Sequence, residues 1–266
     1  MARSDQRVLE HDINQKTASV LIPAFNEAKT IGAVLDRVLQ LGDLIGEIIV
    51  VDDGSTDQTP SIVRAIAEHH AKVLLVKQES NQGKTAAIRR AIIQARGDVV
   101  VIQDADLEYD PADIPRLVTP ILMGQADVVY GSRFATETSR KGYLWHYLAN
   151  RGLTHISNVL SGYRITDVET CYKAFRTALV KPLPISSKRF GIEIEITAML
   201  ARTPARLIET PVSYSARSFR EGKKIRFVDG LWAVYYLGYY NLICPWRKQS
   251  REYFRRARDL LTKKVA

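Results

Sequence analysis

The stretch Val99-Val100-Val101-Ile102-Gln103-Asp104-Ala105-Asp106-Leu107-Glu108 places an apolar run directly before three carboxylates at alternate positions. Such a run is typical of a strand buried on both faces of a parallel sheet. Asp104, Asp106 and Glu108 would then lie at its carboxyl end. Hard carboxylate oxygens suit Mg²⁺ or Mn²⁺, which takes one or two protein carboxylates and completes its shell from a bound diphosphate. Taken alone, the stretch could equally be an acidic turn after a strand.

The same arrangement occurs earlier in the chain. The apolar run Ile48-Ile49-Val50-Val51 is followed by Asp52, Asp53, Gly54 and Ser55. A carboxylate pair before Gly-Ser can simply cap a turn. Its recurrence at a second strand end favours a binding function.

Apolar periodicity predicts alternating strands and helices up to residue 131. The predicted strands are 19–22, 47–51, 72–76, 98–103 and 127–131, and the predicted helices are 30–41, 57–70, 83–96 and 111–123. This alternation predicts an α/β fold, with a mostly parallel, Rossmann-like sheet that has helices on both faces. Ligands bind such sheets beyond the carboxyl ends of the strands. Pro23, Asp52, Asp104 and Ser132 all fall there, so four separate segments are expected to meet in one crevice.

Two familiar nucleotide-binding motifs are not met. Gly83-Lys84-Thr85 resembles the end of a phosphate-binding loop, but Gln78 stands where the first glycine is required. A helix start is the favoured interpretation, with Lys84 near a phosphate as the alternative. The residues after the first strand, Pro23 to Glu27, lack the glycines of a dinucleotide-binding turn.

Composition narrows the class of protein. The chain has 266 residues, of which 46% are hydrophobic and 25% charged, as in a folded globular protein. Its two cysteines suggest neither a disulfide framework nor a zinc site, so a reducing compartment is expected. Residues 1–16 form a polar arm with no signal-peptide pattern. The net charge of +9 indicates an anionic partner. Nucleic acid is not expected, because neither a basic stripe with aromatics nor a known module is present.

Residues 225–266 suggest contact with a membrane surface. The aromatic stretch 231–243 is too short to span a bilayer, which takes about 20 apolar residues. Trp and Tyr favour the headgroup boundary. The segment 247–266 then carries eight Lys or Arg against two acidic residues, which gives +6 of the total charge. We expect a peripheral anchor; a helix packed in the core and a homodimer contact are the alternatives.

Five ordered motifs carry a resemblance to a known family: VLIPAFNE (20–27), VVDDGSTD (50–57), NQGK (81–84), DADL (104–107) and GSRF (131–134). Over roughly residues 17–230 the chain resembles family 2 glycosyltransferases of the GT-A fold. It is most similar to the dolichyl-phosphate or polyprenyl-phosphate sugar transferases. The resemblance implies a catalytic domain at 17–224.

The resemblance also implies roles on the donor side. It assigns the nucleoside pocket to Pro23, Ala24, Phe25 and Glu27, and the base or ribose to Asp52 or Asp53. Carboxylates suit that role because they accept hydrogen bonds from N–H and hydroxyl groups. It assigns metal binding to Asp104, Asp106 and Glu108. It assigns contact with the donor to Ala105, which lies between the two aspartates. Relatives often have Gln in place of Glu108.

On the acceptor side, Arg133 matches the position that contacts a lipid phosphate in these relatives. The planar guanidinium of arginine can make two parallel hydrogen bonds to a phosphate. Arg217, Arg220 and Lys223 resemble a basic segment that closes over the diphosphate. Asp167 and Glu169 lie where relatives that use hydroxyl acceptors supply a base, although Asp167 could equally be a structural cap.

The sequence therefore predicts an inverting, Mg²⁺- or Mn²⁺-dependent transferase. It would move a hexose from GDP-mannose or UDP-glucose to a polyprenyl or dolichyl phosphate, at the cytoplasmic face of a membrane. Two alternatives stay open: transfer to a hydroxyl acceptor, and a non-catalytic protein that binds nucleotide sugars.

Overall fold

A computed structural model describes residues 16–134, 144–188, 191–216 and 227–262. The strands are β1 Ala18–Ala24, β2 Ile45–Asp52, β3 Val73–Lys77, β4 Val99–Ile102, β5 Val128–Ser132, β6 Lys173–Arg176 and β7 Leu207–Pro211. The helices are α1 Ile31–Leu39, α2 Thr59–His69, α3 Lys84–Gln94, α4 Ile114–Leu122, α5 Leu144–Ser161, α6 Thr177–Val180, α7 Ile192–Leu200, α8 Phe227–Gly238 and α9 Lys248–Thr262. A π-helical turn, Tyr239–Ile243, and a 3₁₀ turn, Cys244–Trp246, join α8 to α9.

The strands form one seven-stranded sheet in the order β3-β2-β1-β4-β6-β5-β7. Strands β1 to β4 pair in parallel, as do β5 and β7. Strand β6 lies antiparallel to both β4 and β5. The predicted mostly parallel sheet is confirmed. Because β6 runs in the opposite direction, the residues that precede it lie at the same edge as the carboxyl ends of its neighbours.

The central strands are apolar at successive positions because both faces of the sheet are covered. One core contains Leu21, Ile49 and Val100 with residues of α3, α7, α8 and α9. The other contains Val20, Ile48 and Val101 with residues of α1, α2 and α4. Neighbouring residues on a strand thus point into opposite cores, as strand geometry requires.

The predicted elements up to residue 131 are all present, with ends within two residues of those predicted except at the start of α4. There, Pro111–Asp113 forms a 3₁₀ turn before the α-helix. Gly83 precedes the first residue of α3, so the interpretation of this motif as a helix start is confirmed.

The carboxyl-terminal segment shares the core of the sheet. Leu237 and Tyr240 are buried beside residues of α7, and Tyr253 and Ala257 of α9 join the same core. The described part of this segment, residues 227–262, therefore has one face packed in the core. No helix in the described parts of the chain is long and apolar enough to cross a membrane.

Candidate active site at the carboxyl edge of the sheet

The loops that follow β1 and β2 are tied together by side-chain hydrogen bonds. The Asn26 carboxamide oxygen accepts from the backbone N–H of Thr56 at 2.8 Å, and the Asn26 N–H donates to Ser55 Oγ at 2.9 Å. The Glu27 N–H donates to Thr59 Oγ1 at 2.9 Å. Asn26 adopts a positive φ of 53°, which asparagine tolerates better than most residues. The two loops therefore form one preformed wall.

Asp53 secures a third loop to this wall. Its carboxylate accepts from the backbone N–H groups of Gln82 and Gly83, both at 2.8 Å, and from the side-chain amide of Gln78. Gly54 next to it has a φ of +74°, and a Cβ there would lie 2.7 Å from the carbonyl carbon of Ser80. Only glycine fits this approach without a shift of the backbone.

The predicted nucleoside residues lie together along this wall. Ala24 ends β1 and Asp52 ends β2, and the two are register partners. Pro23 and Phe25 are partly exposed, whereas Glu27 is buried. The structure thus brings these residues to one place, and their contacts with a nucleoside stay a prediction. Of the two aspartates, Asp53 already has three protein donors.

The acidic stretch after β4 does not form a three-carboxylate cluster. Asp104 Oδ1 lies 2.7 Å from Lys84 Nζ. Asp106 accepts from the Glu108 backbone N–H at 3.2 Å, and Glu108 Oε2 accepts from the Tyr214 hydroxyl at 3.0 Å. In the described part of the chain, no three His, Cys, Asp or Glu side chains are grouped to hold a metal ion.

Two carboxylates at this edge still fit a divalent cation. Asp104 and Asp106 are both partly exposed, and carboxylate oxygens are the ligands that Mg²⁺ and Mn²⁺ prefer. A cation that takes one or two protein carboxylates needs no third when a diphosphate completes its shell. Ala105 between them is buried and faces the core.

Lys84 connects the acidic stretch to a buried polar cluster that the sequence did not reveal. The members of this cluster are Lys84, Cys171, Glu193, Glu169 and Lys173. Its ammonium contacts Cys171 Sγ at 2.8 Å and lies 3.8 Å from Glu193 Oε1. Burial alone lowers the pKa of this ammonium, but the charges of Asp104 and Glu193 raise it above its usual value. Burial raises the pKa of the Cys171 thiol, so the thiol is neutral at pH 7. Lys84 is therefore a fixed positive charge at the edge of the crevice.

Glu169 belongs to the same cluster. Its Oε1 and the Oε2 of Glu193 are buried atoms without a hydrogen-bond partner. Burial and the negative charge of Glu193 raise the pKa of Glu169 to about 7, against the opposing influence of Lys173. The Lys173 ammonium is fully buried, donates to the Val168 carbonyl at 2.8 Å and lies 4.4 Å from the centre of the Tyr130 ring.

Arg133 and Asp167 form a bidentate ion pair beyond β5. Arg133 Nε and Nη2 lie 2.7 and 2.8 Å from the two carboxylate oxygens, and the Arg133 backbone N–H donates to the same group at 3.2 Å. Asp167 is fully buried, and Asn150 donates to it as well. Burial alone raises the pKa of Asp167, but Arg133 lowers it below its ordinary value. Asp167 is thus placed to orient Arg133, and its low pKa makes it a weak base.

The predicted basic residues Arg217, Arg220 and Lys223 lie outside the described residues. Within the described parts, the sequence analysis missed Glu193, Cys171, Lys173 and Tyr214. Glu193 could have been noticed in the sequence, because two glutamates interrupt a largely apolar stretch, Ile192–Leu200. The structure buries every residue of this stretch, which forms helix α7.

Comparisons with known proteins agree with this geometry. The sequence profile of Glycosyl transferase family 2 matches residues 19–183. Undecaprenyl-phosphate 4-deoxy-4-formamido-L-arabinose transferase of Pectobacterium carotovorum is 32% identical over 213 residues, which cover 78% of this chain and 62% of that protein. The chain thus spans less than two thirds of that relative. UDP-N-acetylglucosamine--dolichyl-phosphate N-acetylglucosaminyltransferase of Methanococcus voltae is 28% identical, over 79% of this chain and 91% of that protein.

A solved structure shares the fold. Glucosyl-3-phosphoglycerate synthase of Mycobacterium tuberculosis, in complex with Mn²⁺, uridine diphosphate and phosphoglyceric acid, superposes with a TM-score of 0.68 at 25% identity. The match covers 88% of this chain and 82% of that one.

Proposed function

The chain belongs to glycosyl transferase family 2, and from that premise we propose that it transfers a hexose from a nucleoside diphosphate sugar to a polyprenyl phosphate. It is a glycosyltransferase with the GT-A fold that the sequence motifs implied. We propose GDP-mannose or UDP-glucose as the donor, with inversion at the anomeric carbon.

The observation that carries this proposal is that two basic side chains are held in place by aspartates at one edge of the sheet. Lys84 is held beside Asp104 after β4, and Arg133 is held by Asp167 after β5. A diphosphate donor and a phosphate acceptor each need a cation, and these cations are fixed before any ligand arrives. Preorganised charge of this kind is the largest contribution to many enzymatic rates.

Asp104 and Asp106 would hold a divalent cation, which when bound neutralises the negative charge of the departing diphosphate. The wall of loops after β1 and β2 would bind the nucleoside through residues 23–27 and Asp52, and Lys84 would add positive charge beside the diphosphate. Glu108 stays a candidate ligand. Arg217, Arg220 and Lys223 stay candidates for closing over the phosphates.

The acceptor phosphate would supply its own nucleophile. A phosphate monoester has a second pKa of about 6, so it is an anion near neutral pH and needs no strong base. Arg133 would then orient it, because the bidentate pair with Asp167 limits the rotation of the guanidinium. The relatives that are named for undecaprenyl phosphate and dolichyl phosphate support this acceptor class. We propose that the enzyme works at the cytoplasmic face of a membrane, where such an acceptor is embedded.

Transfer to a hydroxyl acceptor is the second candidate, and Glu169 is the observation that favours it. A hydroxyl needs a base whose pKa lies near the working pH, and Glu169 has a pKa of about 7. The structurally similar glucosyl-3-phosphoglycerate synthase, which was solved with phosphoglyceric acid, also supports this candidate.

An acceptor panel separates the two candidates. Each donor is incubated with Mg²⁺ or Mn²⁺ and with a short polyprenyl phosphate, the corresponding polyprenyl alcohol or phosphoglyceric acid. We expect product from the polyprenyl phosphate and little from the alcohol. Equal transfer to phosphate and alcohol, or transfer to phosphoglyceric acid alone, would contradict the lipid-phosphate acceptor and favour Glu169 as a base.

A further inference from the structure

Helix α8 and the turns after it have two faces of opposite character. The inward face is buried in the core and includes Ala233, Leu237, Tyr240 and Cys244. The outward face is exposed although it is made of large apolar and aromatic residues. We call it the aromatic face, and it consists of Leu231, Trp232, Val234, Tyr235, Leu242, Ile243 and Trp246.

The aromatic face is unusual for a surface in contact with water alone. Trp246 is 76% exposed, and Leu231, Leu242 and Ile243 are each about 60% exposed. Single exposed apolar residues are common, but a contiguous group of them marks an interaction surface. Trp and Tyr are the residues that proteins place at the boundary between lipid headgroups and hydrocarbon.

A groove of about 310 Å³ lies beside the aromatic face and has cationic residues at its rim. Its walls include Trp232, Tyr235 and Tyr239, and the rings of Tyr235 and Tyr239 are stacked at 5.8 Å. Lys188 and Arg247 both line it. Arg247 Nη1 donates to the Tyr239 hydroxyl at 3.0 Å, which holds the guanidinium at the rim.

The charge of this region fits an anionic surface. Arg247 begins a helical segment whose exposed side carries Lys248, Arg251, Arg255, Arg256 and Arg258. The only acidic residues of this segment, in the described part of the chain, are Glu252 and Asp259. A second copy of the chain would bring the same cations to the contact, so a symmetric dimer through this surface would place like charges together.

We propose that the aromatic face inserts into the headgroup boundary of a bilayer, and that the groove binds the phosphate of an anionic lipid between Lys188 and Arg247. This inference rests on the proposed function only in that a polyprenyl phosphate acceptor requires a membrane-bound enzyme. It assigns a lipid site that is separate from Arg133. Binding would depend on both apolar burial and the two cations, so neither alone would account for it.

Vesicle sedimentation with the full-length protein tests the proposal without any acceptor or donor. The probes are vesicles of phosphatidylcholine alone and vesicles in which part of it is replaced by phosphatidylglycerol. The double variant Lys188→Glu/Arg247→Glu should lower the partition coefficient for the anionic vesicles by at least ~10-fold and leave the weaker binding to neutral vesicles nearly unchanged. Trp246→Ala should weaken binding to both.

Matched controls separate a specific surface from net charge. Arg64→Glu, at an exposed position of α2 on the opposite face of the sheet, makes the same charge change as Arg247→Glu alone and should reduce binding to anionic vesicles far less than that single rim reversal. Met123→Ala removes an exposed apolar side chain elsewhere and should have no effect. Truncation at residue 247 is avoided because Tyr253 and Ala257 belong to the core.

Three outcomes would overturn the proposal. They are equal loss of binding in Arg64→Glu and Arg247→Glu, failure of the intact protein to bind either vesicle, and a dimer seen by light scattering that Trp246→Ala dissociates. Activity on a short, water-soluble acceptor is measured in parallel. Vesicle binding without transferase activity would refute the proposed function and support the lipid site. Transferase activity without vesicle binding would support the proposed function and refute the lipid site.

Discussion

Two regions meet at the carboxyl edge of the sheet, and they handle their carboxylates in opposite ways. In the wall formed by the loops after β1 and β2, Asp53 accepts three hydrogen bonds and Asp57 accepts from Thr59 and Ala28. In the cluster around Lys84, by contrast, Glu169 and Glu193 keep buried oxygens without partners. The wall is satisfied before a ligand arrives, and the cluster is not.

This difference supports the proposed division of roles between the two regions. A satisfied wall would keep the proposed nucleoside site rigid, since every buried polar group that lacks a partner costs free energy. A cluster of coupled charges is destabilising by itself and is retained where charge must develop or move. Substitutions in and beside the cluster should therefore change turnover or the pH dependence of stability, whereas substitutions in the wall should change stability and leave turnover nearly intact.

The strongest test concerns Asp106, one of the two carboxylates proposed to hold the cation. Asp106→Asn removes one charged ligand, so we expect turnover to fall at least ~100-fold, as when one preorganised charge-stabilising group is lost. Initial rates at saturating donor, with Mg²⁺ and with Mn²⁺, measure the effect, and chelation should abolish activity reversibly. Asp36→Asn, at an exposed position of α1, is the matched control. Undiminished transfer by Asp106→Asn without divalent ions would refute the cation site.

A substitution of Asp167, beside the cluster, tests whether this carboxylate is a base or only orients Arg133. Removing one partner of a buried ion pair leaves the other charge uncompensated, so Asp167→Asn should lower the free energy of unfolding by about 3 kcal/mol. Urea denaturation measures it. Turnover on polyprenyl phosphate should fall as well, because Arg133 is no longer held; abolished transfer to a hydroxyl acceptor with persisting transfer to polyprenyl phosphate would instead identify Asp167 as a base.

Arg133 sharpens the same distinction on the acceptor side. Arg133→Lys keeps the charge but loses the planar fork that pairs with Asp167, so kcat/KM for the acceptor should fall ~10- to 100-fold. The KM for the donor should stay nearly constant, because we propose that the donor binds at other strand ends. Steady-state kinetics with each substrate varied in turn measures both. An equal rise in both KM values would indicate that Arg133 contacts both the donor diphosphate and the acceptor phosphate.

Glu169 gives a pH-dependent effect of known sign. Its pKa is raised from 4.5 to about 7, so the folded state binds a proton that the unfolded state releases between these values. The contribution of Glu169 to stability is therefore lost as pH rises from about 4.5 to about 7. Glu169→Gln removes this loss, and we expect it to be more stable than the native protein by on the order of 2 kcal/mol at pH 8. At pH 4.5 the gain should be much smaller. A constant difference across this range would show that folding does not shift the pKa of Glu169.

The sequence predicted those parts of the fold that follow from local periodicity. The elements up to β5 have strong apolar patterns, and the carboxyl ends of β1, β2, β4 and β5 lie at one edge of the sheet as expected. The reversed strand β6 was not predicted, because its direction depends on pairing with β4 and β5 and not on its four residues. That reversal brings Cys171 and Lys173 to the site.

Side-chain partners were also beyond the sequence. The pairing of Arg133 with Asp167 joins residues 34 positions apart, and Lys84 reaches Cys171 across 87 positions. Both contacts depend on the strand order. Motif spacing could place each residue at the sheet edge, but it could not show that Asp53 is already hydrogen-bonded or that Glu108 faces Tyr214.

The smallest predicted effect lies in the wall, where Asp57 joins the two loops. Its Oδ1 accepts from the Thr59 N–H at 2.9 Å at the start of α2, and its Oδ2 accepts from the Ala28 N–H at 3.1 Å. Asp57→Ala should therefore lower the free energy of unfolding by about 1 kcal/mol, the usual effect of losing a capping side chain.

The effect of Asp57 should depend on pH. Burial alone raises the pKa of Asp57, but these hydrogen bonds lower it below 3.8. Its stabilisation is therefore present above pH 3.8 and declines as the pH falls below that value. Urea denaturation should show the full difference between variant and native protein at pH 7 and a smaller one at pH 3. Turnover should change by no more than ~5-fold, the factor that 1 kcal/mol represents. A loss of turnover as large as that of Asp106→Asn, with stability unchanged, would mean that the wall takes part in the chemistry and that the contrast between the two regions does not hold.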